Sequence, residues 1–267
     1  MVIEILYEPT RQNCYISCDC SNVVTVILSL FKNFTVEEHD DTITRFNHID
    51  LSIERKGDRY EILGKDGVYS YCELLGIVVR EILEKISAEN ERFFFLHGGC
   101  VANKKGLHLF LGKTKSGKST IVYTLCEIHG LQYITDDLIG INEFTECTPF
   151  KKPIFIRDKS KIVTSEIITI SYEDEKRYCF LPSENIDVSC KNDIAAIYIL
   201  VRGEPFHYEE LSVSEAFINI WQNMHSSENI MKKRNAAMLL AKQVKVYKLY
   251  YSDVNEDIND FLKLLHI

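Results

Sequence analysis

The chain has no apolar run near the roughly 18 to 20 residues that a membrane-crossing helix requires, so no membrane span is expected. Its first residues, MVIEILYEP, lack the basic region and following apolar stretch of an export signal, and the expected location is the cytoplasm. Positive charge is also scarce: 31 Lys and Arg stand against 39 Asp and Glu, a net charge of -8. Nucleic-acid binders usually carry a basic stripe that neutralises phosphates, so no nucleic-acid partner is expected and any phosphate site has to be local. The nine cysteines, an odd number, run from Cys14 to Cys190. Most lie in apolar segments, as Cys100 and Cys126 do, which suits reduced thiols better than a disulfide framework. The one cluster, Cys14, Cys18 and Cys20, has neither C-x-x-C spacing nor a fourth ligand nearby, which argues against zinc. There is no H-E-x-x-H pair, internal repeat or low-complexity segment.

With 46% apolar and 26% charged residues, 267 residues are enough for a sizeable core. The expected fold is mixed α/β: a small strand-rich module over residues 1–91, then a P-loop nucleotide-binding core over 92–267. In the module, strands are predicted at Val2 to Tyr7, Cys14 to Cys18, Ile49 to Glu54, Tyr60 to Leu63 and Val68 to Tyr71. Helices are predicted at Asn22 to Lys32 and Leu74 to Ile86, the second with apolar residues spaced for one face. From Phe93 come the short apolar strands FFFLH, CVA and LHLFLG, a helix from Lys118 to about His129, and strands at Gln132 to Thr135 and Leu138 to Ile141. A loop is predicted at Pro149 to Pro153, strands or a hairpin within Thr164 to Leu181, and a buried strand at Asp193 to Val201. Ser212 and Glu215 read as a capping box opening the helix Ala216 to Met224. Helices Asn229 to Lys242 and Asp257 to Leu265 flank a strand at Val246 to Tyr250.

Gly112-Lys113-Thr114-Lys115-Ser116-Gly117-Lys118-Ser119 matches G-x-x-x-x-G-K-[ST] between a predicted strand and a predicted helix. The glycines permit backbone angles that turn amides inward, and those amides, with the helix start through Thr120, form a nest for phosphate oxygens. Lys118 supplies a point charge for the β and γ phosphates, and Ser119 a hydroxyl for Mg²⁺. ATP and Mg²⁺ are the implied cofactors. A metal carboxylate is expected at the end of a neighbouring strand, where Asp136 and Asp137 follow one another. If one holds magnesium, the other is free to take a proton from an attacking hydroxyl, as a kinase requires and a nucleotide switch does not. Adjacent carboxylates couple, so residue order alone does not assign these roles. His97 is a lone histidine whose interest comes from its position before Gly98-Gly99.

The run L-H-G-G-C-V-A, the fifteen residues from His97 to Gly112, the loop motif and Asp136-Asp137 together resemble the HPr kinase/phosphorylase catalytic domain. The resemblance covers about Phe93 to Asn142 and continues more thinly through Ile197 to Gly203, Leu211 to Trp221 and the final strand and helix. It implies a histidine, His97, lying near the first aspartate, Asp136, which acts as base towards a serine hydroxyl while Asp137 helps organise magnesium. Where the family usually reads G-D-S-G-x-G-K-S, Lys113, Thr114 and Lys115 make the cradle more basic. No glycine-rich signature of the kind that engages HPr follows the aspartates.

The first 90 residues are similar instead to compact HPr kinase-like enzymes of lasso and other ribosomal peptide pathways, which phosphorylate a serine on a precursor peptide. The implied partner is a peptide or protein with an acceptor serine, which a strand edge of the module offers to pair, and a homo-oligomer is expected from the family. Arg157, Arg202 and Lys151-Lys152 are candidates to neutralise the transferring phosphoryl group. Phe206, Tyr208 and Trp221 suit either a peptide groove or the core. The alternatives are a small-molecule kinase acting on free serine or a similar acceptor, and a non-catalytic ATP-dependent switch.

Overall fold

The computed structural model describes residues 1–7, 11–39, 48–86, 93–142, 144–148, 150–157, 162, 167–172, 175–180, 193–224 and 230–266. Pro149, Cys190 and the expected segment ends Thr164, Leu181 and Asn229 lie outside the described residues. The fold is mixed α/β, in two compact units: Met1–Ala88 with Phe155–Leu181, and Glu89–Ile154 with Pro182–Ile267. Residues 155–181 thus group with the first unit, although the sequence pattern placed them within 92–267.

In the first unit β1 (Val2–Tyr7) and β2 (Gln12–Cys18) form an antiparallel pair whose alternate residues Ile3, Ile5, Cys14 and Ile16 are buried. Helix α1 (Ser21–Leu30) follows, and β3 (Thr35–His39) pairs with β1 at the edge. β4 (Leu51–Lys56) runs parallel to β2, and β5 (Arg59–Ile62) closes a five-stranded sheet of order β3-β1-β2-β4-β5. Val68 to Tyr71 is not the expected strand: Tyr69 makes only a bridge to Tyr60, and Tyr71 already opens α2 (Tyr71–Ile86). A capping pair explains this. The Glu73 carboxylate accepts from the Ser70 amide at 2.7 Å, and the Glu73 amide donates to the Ser70 hydroxyl at 3.4 Å, so a local start signal overrides strand propensity.

The apolar stripe of α2, Leu74, Leu75, Val78, Val79 and Ile82, is buried as its spacing predicts. The second sheet of this unit contains β11 (Ile154–Ile156), β12 (Ile168–Tyr172) and β13 (Glu175–Phe180), in the order β11-β13-β12. Gly76 lets α2 approach this sheet, because a side chain there would strike the Ser171 carbonyl.

Among the described residues the second unit has one eight-stranded sheet. β6 (Phe93–Asn103) is a single strand through His97-Gly98-Gly99, and β7 (Gly106–Leu111), every residue buried, returns antiparallel beside it. β14 (Ile194–Arg202) and β16 (Val246–Tyr251) extend the sheet parallel to β7, and the exposed β15 (His207–Glu210) forms its edge. On the other side of β6, β8 (Gln132–Thr135) pairs with residues 100–102 and β9 (Leu138–Asn142) with 93–97, with β10 (Cys147–Thr148) outermost.

One face of the sheet buries Leu107, Leu109, Leu111, Ile197 and Ile199 against α4 (Val213–Gln222) and α5 (Ile230–Gln243), through Ala216, Ile220, Ala237 and Leu240. Each such aliphatic side chain contributes about 1.5–3 kcal/mol on burial. The Ser212–Glu215 capping box expected at the start of α4 is present on both sides. Helix α3 (Lys118–Tyr123), continued by a wider π turn over Thr124–Ile128, and α6 (Val254–Leu265) follow β7 and β16; Phe261 of α6 packs edge-on to Tyr251 of β16 at 5.5 Å. Among the described residues no helix is long and apolar enough to cross a membrane.

Candidate active site

β7 ends at Leu111, and the chain turns through 112–117 before α3 begins at Lys118. Gly117 has φ of 90°, and a side chain there would meet the Tyr251 hydroxyl, so both conformation and space require glycine. Lys115 is also left-handed, with φ of 69°. Lys113, Thr114 and Lys115 are exposed, whereas Ser116 and Lys118 are buried. The Lys118 ammonium donates to the carbonyls of Gly112 at 2.8 Å and Lys113 at 3.1 Å, and so is held across the loop. Ser119 and Thr120, half-buried, open the helix.

Two side chains outside the motif brace this loop, and the sequence reading missed both. The Tyr251 hydroxyl donates to the Ser116 carbonyl; burial pushes its pKa up to about 12, which keeps it a donor. Asn223, at the C-cap of α4, accepts from the Gly112 amide at 3.2 Å through its side-chain oxygen. Its backbone carbonyl accepts from the His97 amide at 2.6 Å, so one residue ties the loop to the middle of β6. An asparagine ending a helix is too common for sequence to announce this role.

Asp136 and Asp137 follow the end of β8, as expected, and separate it from β9. β8 and β9 are successive partners of the same edge of β6, and the two aspartates form the break between them opposite His97 to Gly99. Asp137 takes φ of 72°, its carbonyl accepts from the Gly98 amide at 3.2 Å, and the Leu138 amide donates to the Asp136 carbonyl at 2.9 Å. Such a break re-aims side chains, and here it sends the two carboxylates into different surroundings.

Asp136 is 1% exposed. Burial raises its pKa, opposed by the Lys152 charge, reinforced by Asp137, and opposed again by the nearby Ser119 hydroxyl and Lys118 charge. Asp137 is about half exposed; its Oδ1 lies 3.0 Å from His97 Nδ1 and its Oδ2 3.6 Å from the Lys152 ammonium. The resemblance implied a histidine beside the first aspartate, yet His97 pairs with the second, because the left-handed turn swings Asp137 back over β6.

Lys152 is fully buried, and its backbone is fixed by the Tyr133 hydroxyl on its carbonyl at 2.6 Å. A buried ammonium is costly unless paired, which singles it out among the cationic candidates. Arg157 belongs to the first unit and pairs with Glu175 at 2.8 Å, and Arg202 pairs with Asp253 at 2.9 Å. Trp221 packs on Phe217 and under the Lys233 ammonium, Phe206 on Phe261, and Tyr208 on Tyr247. Two buried oxygens here, Asp136 Oδ1 and Ser116 Oγ, have no hydrogen-bond partner among the described residues. Hard oxygen donors left unsatisfied fit a divalent cation and a phosphate as missing partners.

No known protein family matches the chain, and no curated relative does. Among solved structures it is similar to the HPr(Ser) kinase/phosphatase from Coxiella burnetii, at 15% identity and a TM-score of 0.29, over 64% of this chain and 97% of that one. At that score the likeness carries no weight for fold or activity.

Proposed function

We propose that the chain binds ATP with Mg²⁺ at residues 112–120 and transfers the γ-phosphate to a serine hydroxyl of a peptide or protein. The observation that carries this reading is the joining of two motifs: Ser119 and Lys118 of the loop helix are near enough to buried Asp136 to lower its pKa, and its neighbour Asp137 is paired with His97. Backbone amides of the loop and the Lys118 ammonium would bind the phosphates. Ser119 and Asp136 would hold magnesium, which neutralises charge on the phosphates.

This reverses the division of roles carried by the family resemblance. Asp136 is sealed from an incoming hydroxyl, while Asp137 is accessible and held by His97 and Lys152, which suits it to take the serine proton. The serine oxygen then forms its bond to the γ phosphorus as the bond to ADP breaks, with Lys118 and Lys152 balancing charge on the transferred group.

The test is intact-mass analysis of a serine-containing peptide pool and of free serine, each incubated with ATP, magnesium and the protein. A gain of one phosphate on peptide, lost in Asp137→Asn, is expected. Phosphate on free serine alone would move the acceptor to a small molecule. Tight ATP binding without transfer, together with unchanged ATP affinity in Lys118→Ala, would sink the proposal.

A further inference from the structure

Because β7, β14 and β16 run parallel, their first residues share one end of the sheet, and the Gly112 loop lies at the other. At the first-residue end is a cavity of about 580 Å³ bordered by Lys105, Ala195 and Lys245, a size that encloses a small organic molecule. Its floor is aromatic. On the face opposite the α4–α5 core, His108 stacks on Tyr198 with ring centres 6.1 Å apart, Tyr198 on Tyr247 at 5.9 Å, and Tyr208 meets Tyr247 edge-on at 5.7 Å. Tyr208 is half exposed on the edge strand and Tyr247 partly exposed, so these two rings are open to a ligand ring, with Tyr198, 2% exposed, packed behind Tyr247.

The rim carries the opposite charge to the chain as a whole. Lys105, Lys245 and Lys263 face a single lining carboxylate, Asp260, in a protein with eight more acidic than basic side chains. Lys263 reaches Asp260 at 3.0 Å and Lys245 reaches Glu210 at 3.5 Å, while Lys105 has no ion pair among the described residues. Inside, His108 is 3% exposed and burial lowers its pKa to about 4, so it is a neutral imidazole. Its Nδ1 lies 3.3 Å from the Tyr198 hydroxyl, and its Nε2 has no hydrogen-bond partner among the described residues. An unsatisfied ring nitrogen on a residue that lines the cavity is a position a bound polar group relieves.

We propose that this cavity binds a small aromatic anion, its ring laid on Tyr208 and Tyr247 and its carboxylate or phosphate drawn to Lys105, Lys245 and Lys263, with His108 turned to a polar atom of the ligand. The site stands apart from the Gly112 loop and does not depend on the nucleotide reading. The probe is 1-naphthoate, titrated into the whole chain at neutral pH and followed by its own fluorescence, with uncharged 1-naphthol as the matched control. Saturable one-to-one binding of naphthoate with Kd below about 1 mM is expected. Lys105 and Lys263 are exposed, so the double variant Lys105→Ala/Lys263→Ala keeps the fold. It should weaken naphthoate by about tenfold or more and naphthol by less than about twofold, since only the charged ligand uses the lysines. Tyr247→Leu should weaken both, and Lys118→Ala should leave naphthoate binding intact. Three results would overturn the proposal: no saturation up to about 10 mM, equal affinity in the double lysine variant, or loss of naphthoate binding in Lys118→Ala, which would put the anion on the loop.

Discussion

At the Gly112 end of the large sheet, Asp136, Lys118 and Lys152 are buried together, whereas at the Lys105 end the lysines are exposed and the buried titratable group is a neutral imidazole. The difference shows two ways a fold can keep polar chemistry close to a core. In the first, charges of both signs lower one another's desolvation cost but leave Asp136 Oδ1 and Ser116 Oγ without a hydrogen-bond partner among the described residues. In the second, charge stays at the rim in water, where an isolated ion pair is worth little, and His108 gives up its proton to remain inside. The first arrangement suits a reacting centre that needs preset charge, and the second suits reversible binding.

The sharpest way to break the comparison is to remove the charges of the first end. Lys118→Ala and Asp137→Asn should each lower phosphoryl transfer by about 10²–10⁴-fold, read by mass-resolved rates. Asp136→Asn should also lower transfer yet raise the thermal midpoint at neutral pH. The folded pKa of Asp136 is raised, so its favourable contribution is complete only below the unfolded value and is lost as pH rises through the folded one. A lower midpoint for Asp136→Asn at pH 7 would mean that the pairing, not the burial, dominates.

The opposite end has its own pH signature. His108 falls from 6.5 to about 4 on folding, so its contribution is complete above 6.5 and is lost as pH drops towards 4. That loss is about 3 kcal/mol, and denaturant titrations between pH 7 and 4 should show a shallower decline in His108→Gln. If both proteins decline equally, the imidazole is not the group responsible.

Smaller effects separate loop bracing from general stability. Asn223→Ala should weaken ATP by about fivefold in calorimetry, as expected for a lost hydrogen bond of roughly 1 kcal/mol to the Gly112 amide, and an unchanged Kd would count against the bracing role. Ser212→Ala, which removes the α4 capping box, should cost about 1 kcal/mol of folding stability without altering ATP affinity beyond about twofold.

Much of this was legible in the chain because it is local. The loop motif lies between an apolar strand and a helix, the α2 stripe repeats at helical spacing, and Ser212 with Glu215 caps α4. The same local logic, applied to Ser70 and Glu73, would have prevented reading Val68 to Tyr71 as a strand. β3 and β15 escaped because edge strands rich in Glu and His, such as Thr35–His39 and His207–Glu210, carry no apolar alternation.

What sequence alone determined, then, was the set of groups available and their local frame: a G-x-x-x-x-G-K-S motif between a strand and a helix, two adjacent carboxylates and a histidine before two glycines. Only the tertiary structure decided which groups meet. The left-handed turn at Asp137 gave His97 to the second aspartate, the strand break buried the first, and Asn223 and Tyr251 came to the loop from elements more than a hundred residues away. The physical reason is that propensity and spacing act over a few residues, whereas partnership and burial depend on strand register and packing, which no short window of sequence contains.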